Sequence, residues 1–318
     1  MKSLKRMVPL LGATLVLLLL FWWRVPGFLN TENLLDLAQQ ISVNAIMAFG
    51  MTLAILIGGI DLSVGALLAL VGTTTVFVLT VQGGESQSVA WLSLSIAAGL
   101  GVSLVFGLFH GLSAATTRMP PFIITLATML VARGCALRYN EGRPMHIPEF
   151  QTIFLEIGNG RLWGKVPIPV LIMLVIFAAM VVLLHQTRLG QYIYAMGGNR
   201  EAARFTGIPL VRVEVIVYTI CSVLTGVAGM IHTSQLYSAE PGSGVGFELN
   251  AIAAAVVGGT SFTGGRGTMV GTLLGAVIIG ILSKGLNQAG VHFSLQYIVN
   301  GLVILGAVFI DVRGKSTR

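Results

Sequence analysis

The chain of 318 residues is 55% hydrophobic and only 10% charged, and it carries a formal net charge of +7. Soluble domains hold about 25% charged residues, so this composition excludes an ordinary soluble domain and indicates a membrane protein. The excess of 19 Lys and Arg over 12 Asp and Glu does not indicate a nucleic-acid partner, because basic loops that orient membrane helices produce the same imbalance.

Apolar runs follow one another along the chain, and most approach the roughly 20 residues that an α-helix needs to cross a bilayer. The runs are unbroken rather than alternating, which disfavours a β-barrel. We therefore predict an all-α polytopic membrane protein with about ten transmembrane helices in a single domain over residues 1–318. The first run follows a basic start and precedes no small-residue cleavage motif, so we expect it to be retained as a helix. The runs lie near residues 7–23, 38–58, 62–82, 88–112, 119–138, 167–185, 213–233, 249–263, 268–285 and 294–311.

The distribution of Lys and Arg predicts the orientation of the helices. An even number of crossings places both termini on the same side of the membrane. With the N-terminus inside, residues such as Lys5, Arg188, Arg204 and Arg212 fall in cytoplasmic segments, as basic residues near membrane helices tend to do. We therefore expect cytoplasmic N- and C-termini.

Two glycine-rich segments interrupt the apolar runs, GGIDLSVG at residues 58–65 and the region 249–267, which ends in GGTSFTGGRG. Irregular backbone at membrane depth is tolerated only inside protein or beside a water-filled cavity, so these segments predict broken or re-entrant helices. The stretches 44–65 and 250–267 share an Asn-Ala-Ile start and a later Gly-Gly pair.

This similarity suggests a duplication, with a first half over about 1–165 and a second over about 166–318. Five spans in each half is an odd number, so two such halves would be inverted relative to each other, as in many transporters. A chance similarity between two short glycine-rich stretches is the alternative.

Three polar residues beside or within apolar runs are candidates for lining a solute path: Asn44, Asp61 and Asn250. A charge such as that of Asp61 is costly inside a bilayer and usually has a function there. Asp61 would line a polar path, or it would cap the helix that follows, and the cap is the favoured interpretation. Asn44 and Asn250 would hydrogen-bond a hydroxylated solute or, alternatively, a neighbouring helix.

Several functions are disfavoured by missing motifs. The spans hold no recurring pair of acidic residues, which argues against a carrier with its own proton circuit. The phosphate-binding pattern G-x-x-x-x-G-K-[ST] is absent, because the Gly-Lys-Ser at 314–316 has Phe309 where the first glycine would stand. The His residues show no spacing typical of metal ligands. We expect no catalysis, no metal and no cofactor bound by this chain.

The longest segment predicted to be cytoplasmic covers residues 186–212 and contains GGNREAARFTG. Asn199 is a natural N-cap residue, and Glu201 in the first turn suits the helix dipole. Gly207, with Pro209 just beyond, indicates the end of a helix. A helix of two turns is marginal alone, so it should be held by packing on its own membrane domain or in a partner's groove.

The stretch Glu201-Ala202-Ala203-Arg204-Phe205-Thr206-Gly207 resembles the E-A-A-x-x-x-G loop signature of permease subunits in ABC importers. The stretches 39–70, 187–208 and 246–276 are similar to the ribose-type sugar permeases of that class. The resemblance implies that a short helix docks in a cleft of the ATP-hydrolysing subunit and transmits its motion. The residues of this ATPase-coupling helix would be Glu201, Ala202, Ala203, Arg204, Phe205 and Gly207.

The same resemblance implies a multi-pass permease of the bacterial inner membrane that imports a monosaccharide, ribose or a related sugar. It also implies a permease homodimer, ATPase subunits that bind the ATP, and a periplasmic sugar-binding protein that delivers the solute. Two other functions stay open on the residues alone. One is an ion- or proton-coupled carrier that works without partners, and the other is a membrane assembly protein without transport activity.

Overall fold

The computed structural model describes residues 2–83, 88–117 and 119–316, and these residues are almost entirely helical. They form thirteen α-helices. The helices are α1 Lys2–Arg24, α2 Thr31–Leu56, α3 Val64–Val76, α4 Val89–Thr116, α5 Pro121–Arg138, α6 Thr152–Asn159, α7 Ile168–Gln186, α8 Arg188–Gly198, α9 Arg200–Phe205, α10 Leu210–Gln235, α11 Phe247–Val257, α12 Met269–Gln288 and α13 Phe293–Ser316.

Short elements complete the fold. A π-helical segment, Phe77–Gln82, prolongs α3, and a 3-10 turn, Tyr139–Gly142, follows α5. The four strands, β1 Met145–His146, β2 Arg161–Leu162, β3 Val166–Pro167 and β4 Ser238–Ala239, form two antiparallel pairs, β1 with β4 and β2 with β3. The region 139–165 between α5 and α7 thus contains α6 and the short strands β1 and β2.

Seven helical segments in the described part of the chain are long and apolar enough to cross a membrane, which confirms the predicted all-α polytopic class. Three shorter apolar helices, Val8–Arg24, Phe247–Val257 and Phe293–Gly306, accompany them. The predicted ten crossings would require all three shorter helices to cross as well. The seven segments are Thr31–Leu56, Val64–Gln82, Val89–Thr116, Pro121–Gly142, Ile168–Gln186, Leu210–Gln235 and Met269–Gln288.

The core of the molecule is built around α2 and α10. Helix α10 packs along α4, α2 and α3, and α12 packs against α2 and α11. Gly107 and Gly111 bring α4 directly onto the backbone of α10, since a Cβ at Gly111 would lie only 2.4 Å from the Val215 Cα. Small residues permit such close approach of membrane helices. By contrast, α7 presents a mainly exposed apolar surface, as expected of a helix that faces lipid.

Both predicted interruptions are present, at residues 57–63 between α2 and α3 and at residues 258–268 between α11 and α12. In each, a glycine adopts a left-handed conformation, Gly58 with a φ of 85° and Gly259 with a φ of 91°. The N–H of the following residue turns back to a carbonyl of the preceding helix, so both helices end in a Schellman-type cap.

The predicted extent of one span was wrong. The run 249–263 was expected to continue to residue 263, but α11 ends at Val257. The left-handed backbone of Gly259 terminates the helix although the residues beyond it include further apolar side chains. A hydropathy profile shows only how apolar the residues are, whereas the end of this helix is determined by the left-handed conformation of the glycine.

Candidate functional site

The segment after α7 forms two short helices, α8 and α9, that meet at Asn199. The Asn199 side chain accepts a hydrogen bond from the Ala202 N–H at 2.9 Å, which confirms the predicted N-cap. At the other end Gly207 has a φ of 81°, and the Ile208 N–H donates to the Ala203 carbonyl at 3.2 Å. Helix α9 is therefore a short helix capped at both ends.

Sequence analysis missed α8, which was treated as part of a loop. The signal for it was present. Leu189, Tyr192, Ile193 and Met196 repeat with the i, i+3, i+4, i+7 spacing of an amphipathic helix. In the structure Ile193 and Met196 are buried, so α8 packs on the membrane domain through this face.

Helix α9 packs on the membrane domain through one small side chain, and its other side chains are exposed. Ala203 is buried, whereas Glu201, Ala202, Arg204 and Phe205 are exposed. The ring of Phe205 is 86% exposed. A large apolar ring flanked by exposed charged residues gives this surface both apolar and ionic groups with which to bind another protein.

Helix α8 lies against both interruptions. The hydroxyl of Tyr194 donates to the Gly267 carbonyl at 2.8 Å, and burial raises the pKa of Tyr194, which keeps the hydroxyl protonated. The Gly265 N–H donates to the Leu56 carbonyl at 2.9 Å, joining the two interruptions. Gly197 packs directly against this hydrogen bond, because a Cβ at Gly197 would lie 1.7 Å from the Leu56 carbonyl oxygen. The ends of α2 and α8 thus meet the segment between α11 and α12 beside α9.

An ion pair connects α9 to α10. The Arg200 guanidinium donates to the Glu214 carboxylate at 2.5 Å; the Arg200 side chain is 46% exposed and that of Glu214 only 4%. The hydrogen bond raises the pKa of Arg200 further above its ordinary value, so the guanidinium stays charged. Sequence analysis did not find this pair. The one available signal was a carboxylate, Glu214, just inside the predicted span 213–233.

Asp61 is fully buried in the turn before α3. Its carboxylate accepts hydrogen bonds from the Ser63 N–H at 2.9 Å and from the Ser63 hydroxyl at 2.6 Å. The other carboxylate oxygen lies 3.5 Å from Nδ1 of His110, whose Nε2 is 2.6 Å from the Thr128 hydroxyl. The prediction that Asp61 caps α3 is wrong, because the N-cap residue is Ser63. Asp61 instead holds the turn that leads into α3, and it has a histidine neighbour that the sequence pattern did not reveal.

Asn44 and Asn250 are half-buried on α2 and α11, which pack against each other. The Asn44 Oδ1 is enclosed without a hydrogen-bond partner. Within residues 2–83, 88–117 and 119–316, no hydrogen bond joins Asn44, Asp61 and Asn250 to one another. The three candidate path residues thus do not form one polar cluster.

A cavity of about 560 Å³ opens behind α9. Its wall is formed by five parts of the fold: the first interruption, the end of α4, the start of α5, α9 and α10. The lining residues include Gly58, Gly59, Thr116, Arg200, Glu214 and Tyr218. Among the described residues no group of three or more His, Cys, Asp or Glu side chains is placed to hold a metal ion.

Comparison with known proteins gives a family and several relatives. Residues 33–308 match the family described as the branched-chain amino acid transport system permease component. The chain is 46% identical over 301 residues to the ribose import permease protein RbsC of Escherichia coli K12, covering 94% of this chain and 91% of that one. RbsC of Bacillus subtilis 168 is 45% identical, with 92% and 88% covered. The D-allose transport system permease protein AlsC of E. coli K12 is 37% identical, with 89% and 84% covered. No solved structure gives a significant match.

Proposed function

The chain belongs to the family of the branched-chain amino acid transport system permease component, and we propose that it is the membrane-spanning subunit of an ATP-binding-cassette importer for ribose. The observation that carries this proposal is its 46% identity, over nearly the full length of both chains, to a ribose import permease protein. The D-allose permease is more distant at 37% identity, which favours ribose over other sugars.

The permease forms the pathway, and its partners supply energy and substrate. ATP is bound and hydrolysed by an ATPase subunit, and a periplasmic sugar-binding protein delivers the sugar to a permease homodimer in the bacterial inner membrane. Both termini are cytoplasmic. In this arrangement all ten apolar helices cross the membrane as two inverted halves, residues 1–165 and 166–318. The Asn-Ala-Ile start and later Gly-Gly pair shared by residues 44–65 and 250–267 support the duplication.

Helix α9 is the coupling helix that contacts the ATPase. Its exposed face carries Glu201, Ala202, Arg204 and Phe205, while Ala203 anchors it and Gly207 ends it. When ATP binding closes the ATPase subunits, α9 moves with them. Since α8 lies on both interruptions, this motion reaches the end of α2 and the segment between α11 and α12, and it opens the path toward the periplasm. Asn44, Asp61 and Asn250 are the residues proposed to border that path.

Reconstitution tests the function. The permease, its ATPase subunit and the sugar-binding protein are placed in liposomes, and uptake of radiolabelled ribose is measured with and without internal ATP. We expect uptake that requires all three proteins and ATP and that resists uncouplers. Uptake by the permease alone, abolished by an uncoupler, would show a stand-alone carrier instead. Failure of uptake with an active ATPase and a ribose-loaded binding protein would indicate an assembly protein.

A substitution at Gly207 should separate the cap of α9 from its surface. Proline cannot adopt the observed φ of 81°, and it lacks the N–H that donates to the Arg204 carbonyl. Gly207→Pro should therefore unwind the end of α9. Because an incompatible proline costs about 3 kcal/mol, we expect ribose uptake to fall at least tenfold. Asparagine tolerates left-handed backbone, and no atom lies within 4 Å of a Cβ built there. Gly207→Asn should therefore retain most uptake. Equal uptake by the two variants would contradict the role of the cap.

A further inference from the structure

The Arg200–Glu214 ion pair joins α9 to the membrane domain, so a movement of α9 would be transmitted through it. Arg200 is the first residue of α9, and Glu214 lies near the start of α10, the helix that packs along α4, α2 and α3. The exposed side chains of α9 point away from the domain. A direct ionic link to the central helix is therefore available only at the start of α9.

Tyr218 continues this link toward the first interruption. It follows Glu214 by one helical turn, so both side chains lie on the same face of α10. Tyr218 is fully buried, and its hydroxyl rests directly on Gly59, where a Cβ would lie only 2.1 Å from the hydroxyl oxygen. The Tyr218 ring also stands 6.4 Å from the ring of His110. A shift of α10 would thus displace the turn between α2 and α3, because the Tyr218 hydroxyl contacts Gly59.

Polar atoms along this route are incompletely paired. Glu214 Oε2 and Tyr218 Oη are buried without a hydrogen-bond partner, and Asp61 Oδ2 and His110 Nδ1 have only each other, at 3.5 Å. Nearly all buried polar groups in folded proteins are hydrogen-bonded, and each exception requires an explanation. These loosely paired atoms along one route are explained if they find closer partners in a second arrangement of the same helices.

Space for that second arrangement is present. The cavity behind α9 is bordered by Arg200, Glu214, Tyr218, Gly58 and Gly59. Side chains in a close-packed core cannot change partners without displacing their neighbours. Here the ion pair, the tyrosine and the glycine turn adjoin open space, so they can move relative to one another.

We propose that Arg200 and Glu214 are positioning residues that transmit the motion of α9 to α10, and that Tyr218 passes it to the turn at Gly59. This proposal rests on the proposed function as a permease. In the arrangement seen here Arg200 holds Glu214, and the Tyr218 hydroxyl is unpaired. In the second arrangement α10 has moved, and that hydroxyl donates to a carboxylate. The two pairings form a two-state element that α9 biases.

The test uses the complete transporter in liposomes and measures ribose molecules imported per ATP hydrolysed. Arg200→Met and Glu214→Gln should each lower this ratio about tenfold, within the range of typical coupling energies. The double variant Arg200→Met/Glu214→Gln leaves no unpaired charge, so it should insert and fold normally but remain uncoupled. The swapped variant Arg200→Glu/Glu214→Arg should recover much of the ratio. Arg212→Met, which removes an exposed cation from the same end of α10, is the matched control and should leave the ratio unchanged.

Tyr218→Phe provides an independent measurement. It removes only a hydroxyl without a partner, so a structural role predicts unchanged or higher thermal stability and unchanged transport. We expect unchanged or higher thermal stability together with a several-fold lower import ratio. The proposal is overturned if the neutral double variant is fully coupled, or if Tyr218→Phe imports ribose like the parent. Absence of import by the parent transporter would instead refute the proposed function.

Discussion

Replacement of Gly197 by alanine is expected to disrupt the point where α8 and the two interruptions meet. A Cβ at this position would lie 1.7 Å from the Leu56 carbonyl oxygen and 2.5 Å from the Gly265 nitrogen. These two backbone atoms are hydrogen-bonded to each other, so they cannot move away from the new Cβ as the end of a flexible side chain would. Overpacking of this kind costs about 3 kcal/mol or more, and a displaced α8 would also carry α9 out of place.

The neighbouring residue gives a matched control, because no atom lies within 4 Å of a Cβ built at Gly198. We expect Gly197→Ala to lower the thermal unfolding temperature of the purified permease and to abolish uptake in the reconstituted transporter. Gly198→Ala should leave both nearly unchanged. If the two variants behave alike, then α8 does not approach the interruptions as closely as described.

Features determined by nearby residues were predicted from the sequence. Asn199 and Gly207 specify the two ends of α9 through contacts within a few residues, and the Gly-Gly pairs indicated both interruptions. The end of α11 was placed too far along the chain because apolar composition alone does not record the left-handed backbone of Gly259. The amphipathic spacing of α8 is present in the sequence, but it lies in a charged segment outside the apolar runs from which the helices were predicted.

Features that depend on contacts between distant segments could not be predicted. No periodicity indicates that the Leu56 carbonyl accepts a hydrogen bond from Gly265, or that Arg200 pairs with Glu214. Asp61 was considered only with its immediate neighbours, and its approach to His110 follows from the packing of α4 beside α3. A single sequence specifies these contacts only through the complete fold.

The carboxylates near the ends of predicted spans bear on the mechanism of transport. Asp61 and Glu214 lie near the starts of the predicted spans 62–82 and 213–233. In the structure Asp61 lies beside His110, and Glu214 is bonded to Arg200. Glu214 is engaged in an ion pair, and Asp61 is hydrogen-bonded within its own turn. These contacts favour a structural or positioning role for both residues.

Replacement of Phe205 should separate the assembly of the transporter from the folding of the permease. The ring is 86% exposed, so Phe205→Asp should change the stability of the isolated permease by no more than about 0.5 kcal/mol. Aromatic residues that anchor an interface contribute about 2 kcal/mol or more, and an aspartate would bring an uncompensated charge into the ATPase cleft. We therefore expect co-purification of the ATPase subunit and ribose uptake to fall at least tenfold, since about 1.4 kcal/mol corresponds to a factor of ten.

Phe205→Leu keeps an apolar side chain at the same position and should retain a substantial part of both activities. The measurements are the amount of ATPase recovered with tagged permease, ribose uptake in liposomes and thermal unfolding of each purified variant. Loss of uptake with unchanged unfolding and poor ATPase recovery would locate the contact at Phe205. Normal assembly and uptake of Phe205→Asp would mean that α9 does not enter the ATPase through this residue, because a buried, unpaired carboxylate could not be tolerated in such an interface.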